Sequence, residues 1–245
     1  MDRILVLAYG SFSYLVFFVT FLYLFAFAGD LGVAKSVSVG GSLDGTIPAI
    51  LKNLALIFLF GFQHSVMARP TFKRWWTKWV PHAIERSTYV LITSIIFVLM
   101  FVLWEPLPRT FWNVSGTLIG SVLWAVFFAG ALIVLASSFM INHFDLFGLR
   151  QTVLYFLGKP CAPLPFQATG FYKGVRNPLM LGFLLSFWAA PTMTLGRLIF
   201  AAGMTVYIFI GIYFEERNIG EYLGEPYLRY QRETSMIIPF LKKKK

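Results

Sequence analysis

The chain is expected to fold as an all-α, polytopic transmembrane helix bundle of five to six spans. Three observations predict this. Of its 245 residues 58% are hydrophobic and only 13% charged, where soluble domains carry about a quarter charged residues, and mean hydropathy is +0.70. Four uninterrupted apolar runs reach the roughly 20 residues that a bilayer-crossing helix needs. Lys and Arg gather in alternate connections between those runs. A soluble globular enzyme, a disordered chain and a coiled coil are excluded on composition. The single cysteine, Cys161, excludes an internal disulfide and any cysteine-built zinc or iron–sulfur centre.

The clear runs are Ile4–Ala28, Ile47–Met67, Ser87–Trp104 and Thr117–Ile141. The first is too long for a cleaved signal and lacks a small-residue cleavage pattern, so it reads as a mature helix. A fifth apolar region, Leu179–Phe214, is broken by Pro191, Thr192, Thr194 and Gly196. It reads as a hairpin of two helices whose first arm, Leu179–Ala190, is short for a crossing. That makes six helices. Between the second and third runs, Trp75, Trp76 and Trp79 interleave with Lys73, Arg74 and Lys78. The pattern predicts an amphipathic helix lying at the membrane surface. After Phe214, residues 215–233 read as a short helix, a turn at Gly224-Glu225-Pro226 and a second helix. The whole is one integral membrane domain, with spans in 1–141 and a loop, hairpin and C-terminal region in 142–245.

With the N-terminus placed inside, 17 Lys and Arg fall on the inner connections and tail and 4 on the outer ones. The positive-inside rule therefore predicts that both termini are cytoplasmic. It also accounts for the net charge of +10 as membrane orientation, with no nucleic-acid partner. The tail Lys242–Lys245 is expected beside anionic headgroups.

Three groups on the inner side carry possible chemistry. Arg176 stands at the mouth of a helix opened by Pro178, in Gly170-Phe171-Tyr172-Lys173-Gly174-Val175-Arg176-Asn177-Pro178. A guanidinium beside a helix N-terminus suits a carboxylate or another anion, or serves as a positive-inside anchor. Glu215 and Glu216 close an apolar helix, where acids oppose the helix dipole and need a partner. That partner is a ribose diol or cationic ligand, or an ion pair with Arg176 or Arg217. His64 and the set His143/Asp145 lie at inner helix ends, with Arg150 and Gln151 following. Each histidine is an acid–base group, a haem ligand or a satisfied interfacial side chain. His82 reads as structural. No glycine-rich phosphate loop and no serine nucleophile elbow is present.

The order Arg176-x-Pro178-x-x-x-Gly182, an apolar hairpin, Glu215-Glu216-x-x-Ile219, Gly224-x-x-Tyr227-x-x-Tyr230 and Pro239 resembles the isoprenylcysteine carboxyl methyltransferase and phospholipid methyltransferase superfamily. Asn177 stands where that pattern usually has His, and Met180 where it usually has Tyr. The segments Phe62–Arg69 and Asn142–Gln151 narrow the resemblance to the bacterial methanethiol S-methyltransferases. The resemblance covers nearly the whole chain. It implies S-adenosylmethionine as methyl donor, a small thiol as acceptor, no metal, and a bacterial inner membrane. It implies donor contacts from Gly170, Tyr172, Arg176, Asn177, Pro178, Leu181, Gly182, Glu215, Glu216, Tyr227 and Tyr230. It implies proton removal by His143 oriented by Asp145, by Asp145 itself, or by His64. Arg176 would take the methionine carboxylate, and the two glutamates the ribose or amino group. The alternatives are a lipid or prenyl-thiol acceptor, a haem-binding isomerase or denitrification-accessory protein, and a membrane component that is no enzyme.

Overall fold

The computed structural model describes residues 2–41, 45–239 and 241; the Lys242–Lys245 tail lies outside them. Among the described residues five helices are long and apolar enough to cross a membrane. They are α1 (Arg3–Gly29), α2 (Thr46–Ala68), α4 (His82–Leu103), α5 (Leu118–Ile141) and α9 (Leu195–Leu223). The others are α3 (Pro70–Trp76), α6 (His143–Leu146), α7 (Leu149–Phe156), α8 (Pro178–Trp188) and α10 (Glu225–Glu233), with a 3-10 turn at Gly170–Lys173. Large apolar side chains such as Leu15, Val19, Phe58 and Leu118 stand outward. In water such a surface would aggregate; against lipid it costs nothing.

The chain divides into two units. The first holds the chain up to Leu107 together with Asn142–Phe166, and the second Pro108–Ile141 and everything from Gln167.

In the first unit α4 packs against α1 and α2, and α7 lies along α1 and α4. Asp2 caps α1 by accepting from the Ile4 amide at 2.7 Å. Tyr9 Oη and Thr88 Oγ1 meet at 3.0 Å between α1 and α4. Asn142, at φ 143°, turns the chain sharply out of α5 and caps α6 through the Asp145 amide. Gly148, at φ 89°, sits so close to Ser87 that a Cβ would lie 2.7 Å from its amide nitrogen. Only glycine serves there. The first part of the segment read as a loop thus holds two short helices laid along α1 from Phe17–Phe147 to Thr152–Gly10. The Trp-rich segment forms one short helix, α3, and then a turn. Phe72 and Trp76 pack on the cluster of Met67, Tyr89 and Val90.

In the second unit α8 lies on α5 at backbone contact. A Cβ on Gly182 would meet the Gly130 carbonyl at 2.6 Å, and Ser186 Oγ donates to Phe127 O at 2.9 Å. Small residues four apart let helices approach this closely. At 11 residues α8 rises about 16 Å, half a bilayer core. The six helices expected are therefore five long ones and a half-length one. The hairpin turn also holds a piece of sheet that periodicity did not predict. Strand β2 (Thr192–Thr194) pairs antiparallel with β1 (Thr110–Asn113), and Trp112 Nε1 donates to Ala190 O at 3.0 Å. Of the two helices read in 215–233, the turn at Gly224 and the second helix are present, while the first is the continuation of the last span. Helix α9 runs unbroken through Glu215 and Glu216 to Leu223, and only Gly224, at φ 65°, ends it before α10. Neither glutamate stands at a helix C-terminus, so the dipole argument against them falls away.

Candidate functional site

The second unit brings Arg176 and Glu216 together. Arg176 Nε donates to Glu216 Oε1 at 2.7 Å and Nη2 to Oε2 at 2.9 Å. Its Nη1 donates to Gln231 O at 2.8 Å and to Thr234 O. Glu216 also accepts from Asn177 Nδ2 and Gln231 Nε2, each at 2.9 Å. Arg176 is 9% exposed and Glu216 8%. A buried fork-to-fork pair with its remaining lone pairs filled is the arrangement that repays desolvation. The pair fastens the residues before α8 to α9, and the main chain fastens them to the chain beyond α10. Arg176 N and Asn177 N donate to Ser235 O and Met236 O. Pro178 follows as the first residue of α8, fully buried, and Leu181 closes the first turn onto Asn177 O at 3.0 Å.

A second layer is aromatic. Tyr230 Oη donates to Tyr172 O at 2.6 Å. The rings of Tyr227 and Tyr230 lie 5.9 Å apart. Burial, with the Glu215 carboxylate adding to it, raises the Tyr172 hydroxyl well above its ordinary range. Burial likewise raises Tyr227, and pushes Tyr230 up to about 12. All three phenols are neutral at physiological pH, and Tyr230 serves as a donor. Gly170, at φ 51°, rests on Met140, and Gly182 on Gly130. Both glycines are occupied in packing.

Beside Glu216 a groove of about 350 Å³ opens between α9 and α10, lined by Phe209, Ile212, Tyr213, Arg217, Gln231 and Met236. Its size is at the low end for a small-molecule site. The lining fits a sulfonium donor in kind: aromatic faces for its cation, with the Glu216 carboxylate in the wall. The four donations of Arg176 leave little of its guanidinium for a ligand carboxylate. Arg217 is the better-placed cation. It lines the groove and pairs across one turn, Nε to Glu221 Oε1 at 2.9 Å, with both side chains mostly exposed.

The first unit holds the candidate proton acceptors. His143, 3% exposed, meets Tyr14 Oη through Nε2 at 2.8 Å. Burial lowers its pKa, so the ring is neutral at pH 7. Asp145 accepts from Arg150 Nη1 at 2.7 Å and from Gln151 Nε2 at 3.3 Å. His64 lies near Thr93 Oγ1, at 3.4 Å from Nδ1, and packs between Phe60 and Tyr89. Tyr14 and Gln231 went unread in the sequence, and Arg217 was read only as an ion-pair partner for the glutamates. Gln231 was within reach of a local rule, since Tyr227, Tyr230 and Gln231 share one face of α10. Tyr14 carried no local signal.

These features define a polytopic helical membrane protein with a buried ion-pair latch and an acid-and-aromatic groove at the end of its last span. No family model matches the chain, and no solved structure does. Among curated proteins, methanethiol S-methyltransferase of Mycobacterium tuberculosis is 47% identical over 242 residues, 98% of each chain. That of Crocosphaera subtropica is 43% identical over 244 residues, covering this chain fully and 95% of the relative. Nurim of Xenopus laevis is 28% identical over 234 residues, 82% of this chain and 76% of its own. The chain belongs to the methanethiol S-methyltransferase family.

Proposed function

We propose that this protein transfers a methyl group from S-adenosylmethionine to methanethiol, giving dimethyl sulfide, at the cytoplasmic face of a bacterial inner membrane. The observation that carries the reading is the near-full-length similarity to proteins named methanethiol S-methyltransferase. The acid-and-aromatic groove beside Glu216 supports it from this chain's own chemistry. The 17-to-4 division of Lys and Arg supports the orientation, with both termini inside.

Bound here, the donor supplies a methyl on a positively charged sulfur, so the acceptor needs no Lewis acid. Glu216, fixed by Arg176, Asn177 and Gln231, lines the groove, and Phe209 and Tyr213 offer aromatic faces to the cation. Glu215, Tyr172, Tyr227 and Tyr230 hold hydroxyls and the adenosine side. Arg217 takes the carboxylate. The remaining task is to make a thiolate, because the neutral thiol is a poor nucleophile. His143 takes that proton in the first unit, and Asp145 with Arg150 fixes the turn that carries it.

Purified protein in detergent, given S-adenosylmethionine and methanethiol, is expected to release dimethyl sulfide into the headspace above a no-enzyme control. Donor binding without that product would move the acceptor to a lipid or prenyl thiol. No donor binding and a haem absorption band would replace the reading altogether.

A further inference from the structure

The inner end of the first unit holds an arrangement that the proposed reaction has not fully used. Tyr14, half-buried on α1, points its hydroxyl at His143 Nε2, 2.8 Å away across 129 residues of sequence. The two rings meet edge to face at 5.7 Å. Around them stand four phenylalanines. Phe18 stacks near Tyr14 at 6.3 Å, and Phe144 lies 5.9 Å from Tyr14 and 5.4 Å from His143. Phe147 lies 4.9 Å from His143 and stacks on Phe17 at 3.8 Å. Phe18 and Phe144 keep 36% and 46% of their surface exposed, so the cage has an open side. A polar hydroxyl in an apolar wall offers one hydrogen-bonding partner to a small ligand that is otherwise greasy. A short alkyl thiol has that character: one weak S–H donor on a methyl body.

We propose that the Tyr14–His143 dyad is the proton-accepting site for the thiol, with Tyr14 as the group that touches the S–H and the phenylalanine cage as the alkyl pocket. The inference rests on the thiol methyltransferase reading above. The S–H bond breaks as an O–H bond forms at Tyr14 Oη. The hydroxyl's own proton passes to His143 Nε2, whose lone pair accepts it. The sulfur keeps both electrons and becomes the nucleophile, and the imidazolium returns its proton to water after transfer. Tyr14 remains neutral before and after, so no buried phenolate has to be held. The other ionisable groups on the packed elements are Arg3, Tyr9 and Tyr23 on α1, His82, Glu85, Arg86 and Tyr89 on α4, Asp145 on α6, and Arg150 and Tyr155 on α7. Arg86 donates to Leu146 O at 2.8 Å, and Asp145 and Arg150 pair with each other.

Tyr14→Phe keeps the ring and the cage and removes only the hydroxyl. With methanethiol and S-adenosylmethionine, turnover near neutral pH should fall about 100-fold, the low end for a lost proton acceptor, while the donor Kd is unchanged. The deficit should shrink as pH rises and the thiol ionises in solution, a recovery that a merely structural role would not show. His143→Gln, which preserves a partner for Tyr14 but takes no proton, should show the same loss and the same recovery. If wild-type protein methylates methanethiol and Tyr14→Phe matches it, or lags equally at every pH, the dyad proposal is overturned alone. If wild-type protein makes no dimethyl sulfide, the methyltransferase reading fails, and the proposal with it.

Discussion

Replacing Arg176 by alanine separates two roles that its position allows. In the structure its guanidinium makes two charge-assisted hydrogen bonds to Glu216 and two to main-chain carbonyls. Both side chains are under a tenth exposed. Removing one partner of a buried pair costs about 3–5 kcal/mol, because the other charge is left uncompensated. Here Asn177 and Gln231 still donate to Glu216, which places the cost at the lower end, about 3 kcal/mol. For a chain of this length that is a fall in Tm of roughly 6–12 °C, read by thermal unfolding in detergent. The Arg176→Ala/Glu216→Ala double variant should recover part of the loss, since no orphaned carboxylate remains. Calorimetry on the same preparations gives the donor Kd. A variant with unchanged Tm and a much weaker Kd would refute the latch and return Arg176 to the role of a carboxylate clamp.

Three further outcomes are expected. Gly182→Ala drives a methyl into the Gly130 carbonyl, 2.6 Å from the new Cβ, and should cost about 1–3 kcal/mol by overpacking, seen as a lower Tm with the donor Kd of the remaining folded protein unaltered. Arg217→Ala should weaken donor binding about tenfold with no change in Tm, because its pairing with Glu221 is exposed and such pairs contribute little; equal affinity would remove Arg217 from the site. Burial lowers the His143 pKa from 6.5, so folding must strip a proton from this ring in acid. Its stabilising share is complete above pH 6.5 and is lost as pH falls from there through the folded-state value; acid melting curves of His143→Gln should be flatter over that window, and parallel curves would contradict the neutral buried ring.

Much of the architecture was legible because it is written in short-range terms. Each of the four clear apolar runs agrees with a helix to within a few residues, since 20 consecutive apolar side chains can satisfy their backbone in lipid only as a helix. Pro178 and Gly224 mark the start of α8 and the end of α9 as proline and glycine do elsewhere. The strand pair was not legible: Thr110–Asn113 and Thr192–Thr194 are too short for a period to register, and each becomes a strand only because the other is beside it. The break expected after Phe214 was misplaced for a related reason. Paired acids look like an end to an apolar helix, yet one of them finds a buried guanidinium and the helix continues.

The site divides in the same way. Residue kinds and their rough locations, Arg176 with Pro178, Glu215 with Glu216, His143 with Asp145, stood in the sequence as unusual polar groups at the ends of apolar runs. Their partners did not. Glu216 belongs to an arginine 40 residues earlier, and His143 faces a tyrosine 129 residues earlier. Chain length, apolar patterning and charge asymmetry therefore determine that this protein is a membrane helix bundle and which of its ends is basic, because lipid solvation acts on each segment separately. Which guanidinium is spent on structure, which is open to a ligand, and which hydroxyl meets the histidine are decided only when distant segments pack. A hydrogen bond depends on angstroms between side chains, and no local pattern encodes that distance.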